Sequence, residues 1–286
     1  MSDTLGRTHT YHAEASILEG HLELPLVQAI KPQAYAKLPE RGGYLSQRAE
    51  DYRLESVISF RSAHTQVAGN RDPKPGHGWA TLTTTVIEGL NVLDVLTADR
   101  VVGQIITEHP LVGYVPIISF LGTRFENLRI AGHPVELDLN LGILGAKPDK
   151  DGPYTGDPGV LERVGSQYKA IRESSDLPPE LHERYNQLAS SLNSSKAGAA
   201  EAVECSLVNR ASGGYPGKSF GHVIHVPHFG TITLAKVSLH HGEFDKSTGV
   251  PKLTTTRLTM VDLKLGCAIA GGMGVGVGST NGGSHP

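Results

Sequence analysis

Short segments in which apolar and polar residues alternate follow one another along most of this chain. The clearest is Val135-Glu136-Leu137-Asp138-Leu139-Asn140, with valine and leucine at every second position and acidic or amide residues between them. Only a β-strand repeats its side chains every two residues, so this spacing places the two sets on opposite faces, one of which can be buried. The pattern predicts a mainly β protein with antiparallel strands.

Further alternating segments are separated by glycine, proline and polar residues, as is typical of strands joined by turns. They lie around Ile17 and Leu22 and at residues 54–60, 79–87, 92–106, 115–120, 128–130, 203–207, 232–234 and 254–265. In the segment that starts at Trp79, the threonines 81, 83 and 85 form one polar face. We predict an antiparallel β-sandwich-like domain of roughly ten to twelve strands, a single unit at 13–280.

The period of the pattern changes once, between residues 157 and 193. Asp157-Pro158 is typical of a helix N-cap followed by proline at the first helical position. Apolar residues then follow at spacings of three and four, first at Leu161, Val164, Tyr168 and Ile171 and, after Pro178-Pro179, at Leu181, Tyr185, Leu188 and Leu192. We predict a two-helix hairpin inserted at 157–193, and a disordered tail at 281–286.

Charge and composition narrow the classes of partner. The 286 residues carry a net charge of -3 with both signs interspersed, which argues against nucleic acid as a partner. No window approaches the roughly 18 apolar residues of a membrane span, so we predict no membrane insertion. Residues 1–22 have no apolar stretch typical of a secretory signal, which predicts a soluble chain that starts in the cytoplasm. Cys205 and Cys267 favour two free thiols, with one bridge between strands as the alternative.

Histidines form the densest cluster of metal-ligating residues in the sequence. His222, His225 and His228 lie within seven residues, and His240 follows. On a straight strand His222 and His228 would be about 20 Å apart, so a shared ion requires a bend at Pro227 or a contribution from His240. The sequence has neither His-Glu-x-x-His nor paired cysteines, and no cofactor is predicted.

Trp79 and two nearby histidines form a candidate ligand site. A glycine- and proline-rich loop carries His77 next to Trp79, and His64 lies upstream. Together they could present an aromatic platform to a sugar or small ligand, whereas the alternative is that Trp79 caps the core. Asp94 and Asp99 would lie on opposite faces of a continuous strand, which argues against an acid/base pair.

The glycine-rich segment 271–278 favours a strand with one bare face. Its apolar residues Met273, Val275 and Val277 alternate with glycines, which would let the strand lie close against another sheet. That sheet could belong to the same chain or to a neighbour, since exposed edge strands readily pair between chains. These three residues are therefore candidates for self-association. No helix follows, so the glycines do not fit a dinucleotide site.

Four segments give the chain a resemblance to choice-of-anchor P proteins. Residues 80–102, which contain the run Thr97-Ala98-Asp99, resemble an "L-x-x-L-x-x-x-x-T-A-D-x-V" piece, and residues 125–132, 226–234 and 255–266 resemble later pieces in order. The resemblance implies a bacterial, exported or cell-surface β domain whose role is uncharacterised, and it carries no catalytic residues.

These observations favour a non-enzymatic structural or interaction module, associated with the cell envelope, that contacts other copies or another protein through edge strands. The alternative is a ligand- or metal-binding, hydrolase-like β domain. It would use the loop of His77 and Trp79 or the segment from His222 to His228.

Overall fold

Alternating side chains build two antiparallel sheets in the computed structural model, which describes residues 8–24, 27–71, 78–196, 202–244, 247, 250–266 and 269–285. The first thirteen strands are β1 (Thr8–Thr10), β2 (Ala13–Leu24), β3 (Gln28–Gln33), β4 (Ala36–Lys37), β5 (Gly43–Leu54), β6 (Ile58–Arg71), β7 (Trp79–Val92), β8 (Leu96–His109), β9 (Ile117–Ser119), β10 (Arg124–Glu126), β11 (Arg129–Ile130), β12 (His133–Pro134) and β13 (Glu136–Leu139). Two helices follow, α1 (Pro158–Arg172) and α2 (Pro179–Lys196). The remaining strands are β14 (Ala202–Ser206), β15 (Val208–Ser212), β16 (Lys218–Phe220), β17 (Val223–Val226), β18 (Gly230–Phe244), β19 (Pro251–Leu265) and β20 (Ala270–His285).

The two large sheets form a sandwich. The ten-stranded sheet has the order β16-β17-β18-β19-β20-β2-β3, with β14 on β18, β1 on β20 and β4 on β2. The eight-stranded sheet has the order β12-β11-β8-β7-β6-β5, with β9 and β10 on β8. β20 and β2 lie across from β7, and β13 pairs with β15 in a small separate sheet. The predicted mainly β, sandwich-like fold with two helices is confirmed.

Bare glycines bring the two sheets together, as the glycine-rich segment predicted. A Cβ at Gly278 would lie 2.9 Å from Cγ2 of Thr83, and one at Gly276 would lie 3.3 Å from Oγ1 of Thr85. The polar threonine face of β7 therefore points inward, where the Thr83 methyl group and the Thr85 hydroxyl lie against glycine backbone, while Leu82 is on the outer face. The sheet that the glycines approach belongs to the same chain.

One row of residues across the eight-stranded sheet interrupts the alternation of inward and outward side chains. The pairing skips Asp51, Arg61, Gly89 and Asp99, which follow one another across β5 to β8. Asp51 and Gly89 have φ angles of 48° and 66° there. The more buried positions of β5 are Leu45 and Ala49 before this row and Tyr52 after it, so the inward side changes parity within one strand. A strand of this kind has no single period that a sequence pattern could reveal.

The helical insertion lies where the period changed. Asp157 caps α1 by accepting a hydrogen bond from the Val160 N–H at 2.9 Å, and Pro158 occupies the first turn. The predicted apolar stripe of α1 is buried, from Leu161 to Ile171. The hairpin interrupts the chain between β13 and β14, as predicted.

Three local predictions are corrected. Residues 281–285 belong to β20 rather than to a disordered tail, because their backbone pairs with β1 and β19. Residues 54–60 are not one strand, because the chain turns at 55–57, where Glu55 has a φ of 48°. The described residues form twenty strands rather than ten to twelve, because many have only two to five residues and leave little alternation to detect.

Candidate functional site

The edge of the ten-stranded sheet at β14 is covered by helix α1. The Gln167 side chain donates to the Ser206 carbonyl at 2.8 Å and accepts from the Ser206 N–H at 3.1 Å. Its amide therefore takes the place of a neighbouring strand. The Tyr168 hydroxyl donates to the Glu204 carbonyl two residues away. We call this region the covered edge, because side chains of the chain itself bond the carbonyls of Glu204 and Ser206 and the Ser206 N–H.

Buried titratable groups around the covered edge are held neutral. Burial raises the pKa of Tyr168 and Tyr185, and it raises the pKa of the Cys205 thiol to about 12. Burial, aided by the nearby Arg184 guanidinium, lowers the pKa of His222 to about 3. The Tyr185 hydroxyl lies 2.8 Å from Nε2 of His222, so a hydrogen bond joins α2 to the turn between β16 and β17. The hydrogen bonds of Tyr168 and Tyr185 thus hold the two helices against the sheet.

The opposite situation is found at β5, the outermost strand of the eight-stranded sheet. It pairs with β6 from Gly43 opposite Gly69 to Leu54 opposite Ile58. Within the described residues, no strand is hydrogen-bonded to its other side. We call this the open edge. It is twelve residues long, and most of its side chains are exposed. An unpaired strand of this length offers a row of free backbone donors and acceptors to another chain.

The two faces of the open edge carry different side chains. Leu45 and Ala49 are half-buried on the inner face, with the exposed Gln47 between them. The residues of the outer face before the interruption at Asp51 are Tyr44, Ser46, Arg48 and Glu50. Arg48 Nη2 and Glu50 Oε1 form an exposed ion pair at 2.6 Å. The regular part of the edge, residues 44–50, therefore presents a mixed inner face and a polar outer face.

The four candidate metal ligands do not converge. The described residues contain no group of three His, Cys, Asp or Glu side chains that could hold a metal. His222 is buried against Tyr185, whereas His228 is exposed in the turn between β17 and β18. The chain does bend at Pro227, but the bend directs His228 to the surface.

His240 lies far from the other three histidines. His225 is opposite Thr231 in β18, and His240 follows nine residues later in the same strand. At about 3.3 Å per residue that separation is about 30 Å. The structure therefore separates the residues that a shared ion would require.

The candidate ligand platform is also divided. His64 pairs opposite Val86, and Trp79 pairs opposite Arg71, which puts them about 23 Å apart along the sheet. The faces differ as well, because Trp79 is 9% exposed at the end of the core while His64 lies on the outer face. The ring of His9 stacks on Trp79 with 5.0 Å between ring centroids, so one face of the indole is covered. His77 lies outside the described residues.

The candidates for self-association lie in the interior. Met273, Val275 and Val277 are 1%, 1% and 4% exposed. β20 is flanked by β19 and β2, so it is not an edge strand over these residues. These side chains are not available to another copy, because the sheet they join is their own. Cys205 is a free thiol, and Cys267 lies outside the described residues.

Two buried histidines and two aspartates complete the inventory of titratable candidates. His241 accepts from the Tyr154 N–H at 3.0 Å through Nε2, and burial lowers its pKa to about 4. Burial, aided by the nearby His9, lowers the pKa of His109 to about 3. Asp94 is in the turn after β7 and Asp99 is in β8, and each is bonded to an asparagine amide, so they form no catalytic pair.

A groove beside α1 is one of the concave features of the described residues. It has a volume of about 340 Å³ and is lined by Asn140, Ile143, Glu162, Arg163, Ser166, Gln167, Ala170 and Asn209. Two of its donors already make hydrogen bonds within the chain. Arg163 Nε donates to the Ile143 carbonyl at 2.6 Å, and the Gln167 amide donates to the Ser206 carbonyl. The groove contributes to the covered edge.

Comparison with known proteins places the chain in one family. A family model described as a domain of unknown function, DUF8256, matches residues 9–240. The chain belongs to DUF8256. No curated protein and no solved structure matches it.

Both edges lie within the part of the chain that matches DUF8256, since β5 ends at Leu54 and β14 ends at Ser206. β19 and β20 lie beyond the match, yet they occupy the middle of the ten-stranded sheet. The structural unit of this DUF8256 protein therefore extends past the matched residues. Neither described helix has the length and hydropathy needed to cross a lipid bilayer.

Proposed function

We propose that this protein is a non-enzymatic interaction module that binds another polypeptide by strand addition to the open edge. The observation that carries the proposal is the unpaired side of β5, twelve residues long, in a fold that caps another strand edge, at β14, with Gln167. Strand addition draws its affinity from main-chain hydrogen bonds and its specificity from alternate side chains. The open edge offers both.

Charge on the open edge supports a selective partner. Arg48 and Glu50 stand on the outer face, and charged residues on an edge strand hinder indiscriminate pairing. An incoming strand that places like charges opposite them is disfavoured, whereas one that offers hydrogen-bonding partners is accepted. The resemblance to choice-of-anchor P proteins adds the cell envelope as the proposed place of action.

Site-specific photo-crosslinking in the cells of origin tests the proposal. A photoreactive residue at Ser46 or Arg48 would report on the open edge, and one at the exposed Glu183 of α2 would serve as the control. We expect discrete products from the two β5 positions, with the crosslinked partner and its extended segment identified by mass spectrometry. Products from Glu183 alone, or none from β5, would overturn the proposal. Fractionation of the same cells tests the envelope location.

A further inference from the structure

We infer that the strand added to the open edge is β5 of a second copy, paired antiparallel about a two-fold axis at Gln47. The inference rests on the proposed function and names its partner. In such a pair the residue on the two-fold axis, which we call the centre, lies opposite itself in the second copy. Every other residue lies opposite the one that is equally far from the centre in the other direction along the strand, so the choice of centre fixes every contact. The residues of β5 decide between the centres.

Regular geometry restricts the choice first. Pairing between β5 and β6 is continuous from Gly43 to Glu50 and is interrupted at Asp51, where the inward side changes parity. A centre at Ala49 would leave only residues 48 to 50 before Asp51 of each copy enters the ladder. A centre at Gln47 uses residues 44 to 50, seven pairs without interruption.

Side-chain chemistry restricts the choice further. A centre at Arg48 would place two guanidinium groups opposite each other, and a centre at Glu50 would do the same with two carboxylates, which is unfavourable. A centre at Ser46 would place the half-buried Leu45 opposite the polar Gln47. These registers each oppose unlike or repelling groups.

The Gln47 centre matches groups on both faces. On the inner face Leu45 meets Ala49 of the second copy, and the two Gln47 amides meet on the axis, where each has both a donor and an acceptor. On the outer face Arg48 meets Ser46, and Glu50 meets the hydroxyl-bearing Tyr44. No like charges stand directly opposite each other. The paired sheets would continue as one sheet of sixteen strands, while the buried area stays small, so the dimer is weak and forms at high concentration.

Charge variants on the axis provide the test. Gln47→Lys would place two ammonium groups opposite each other, and Gln47→Glu would place two carboxylates there, so each variant alone should associate about tenfold more weakly than the parent. An equimolar mixture of the two variants should recover parental association, because lysine then meets glutamate. Sedimentation equilibrium of the purified full chain, across a concentration series reaching the high micromolar range, measures all four samples.

Cysteine crosslinking checks the register independently. In a Cys267→Ser background, Gln47→Cys should form a disulfide-linked dimer on mild oxidation, because directly opposite residues of antiparallel strands lie within disulfide range. Leu45→Cys and Ala49→Cys should each fail to self-link but should link to one another when mixed. A self-link at Ala49 instead of Gln47 would overturn the register.

A parent that stays monomeric throughout the series, or a mixture that does not recover, would overturn the second copy as partner. The proposed function would survive that result if crosslinks from β5 in cells identified a different protein. It would fall as well if β5 gave no crosslink.

Discussion

The two strand edges at β14 and β5 are treated in opposite ways by one chain. At β14, five residues long, Gln167 and Tyr168 supply hydrogen bonds to the outward backbone of Glu204 and Ser206. At β5, twelve residues long, the described chain supplies no strand to the outward side. The fold thus caps one strand edge and leaves a longer one, β5, without a paired strand among the described residues. The difference supports the proposal that β5 is a surface for another chain.

Burial separates the two edges as sharply as hydrogen bonding does. Around the covered edge, Cys205, His222 and Tyr185 are all under 4% exposed. Burial raises the pKa of Cys205 and Tyr185 and lowers the pKa of His222, so each side chain is held neutral. At the open edge, the charged pair Arg48 and Glu50 keeps 68% and 59% of its side-chain surface in water. Stability should therefore depend on the first edge and association on the second.

Amide hydrogen exchange should show the largest contrast between the edges. The Ser206 N–H is buried and bonded to Gln167, so its exchange requires α1 to move away, whereas the outward amides among residues 44–50 meet water directly. We expect Ser206 to exchange at least roughly a thousandfold more slowly than those amides in dilute monomer, measured by NMR. Uniform protection along β5 in dilute solution would mean that part of this chain already covers it.

Matched glutamine variants should give the next largest effect. Gln167→Leu keeps the approximate volume but leaves the buried N–H and carbonyl of Ser206 without partners, which should lower the free energy of unfolding by about 2 to 4 kcal/mol. Gln47→Leu makes the same change at the open edge and should stay within about 0.5 kcal/mol of the parent. Urea unfolding of dilute protein measures both, and equal losses would erase the distinction between the edges.

Sequence reasoning found the architecture but neither edge. Alternation in β13 and the change of period at Asp157 predicted strands and helices that the structure contains, because both signals are local. The position of Gln167 could have been noticed in the sequence, since it is a polar residue within the apolar stripe that runs from Val164 to Ile171 and is therefore expected to be buried. Its partner, however, is 39 residues away along the chain.

The open edge was hidden for a different reason. The inner face of residues 44–50 has only Leu45 and Ala49 as apolar residues, with the exposed Gln47 between them, and the parity change at Asp51 removes the remaining period. The threonines of β7 were also interpreted only in part. Their alternation is evident in the sequence, whereas their burial depends on residues far along the chain. Only Gly276 and Gly278, nearly 200 residues later, make that polar face an inner one.

Acid should weaken the fold through its buried histidines, and His222 carries this effect at the covered edge. His222 has a pKa of about 3 in the folded chain and an ordinary value of 6.5, so the unfolded chain binds more protons between these values. Its contribution to stability is complete above about pH 6.5 and is lost as the pH falls toward 3. Between pH 7 and pH 5 this loss is about 2 kcal/mol.

The variant His222→Gln isolates that contribution. It cannot take up the proton, so its stability should fall by about 2 kcal/mol less than the parent's between the two pH values. His228→Gln, which removes an exposed imidazole, should leave the parental fall in place. Urea unfolding at pH 7 and pH 5 measures the three proteins. An unchanged pH dependence in His222→Gln would show that this histidine does not need to be neutral to hold α2.

Matched tyrosine variants should give the smallest effect and the finest test of the cap. Tyr168→Phe keeps the ring but removes the donor to the Glu204 carbonyl, which should cost about 1 kcal/mol, whereas Tyr44→Phe on the open edge should change little. A double-mutant cycle with Gln167→Leu then asks whether the cap is one unit. If either substitution lets α1 move away from β14, the second substitution should lower the free energy of unfolding by less than it does in the parent. The coupling free energy between the two sites should then exceed about 0.5 kcal/mol. Strict additivity would mean that Gln167 and Tyr168 protect Ser206 and Glu204 independently.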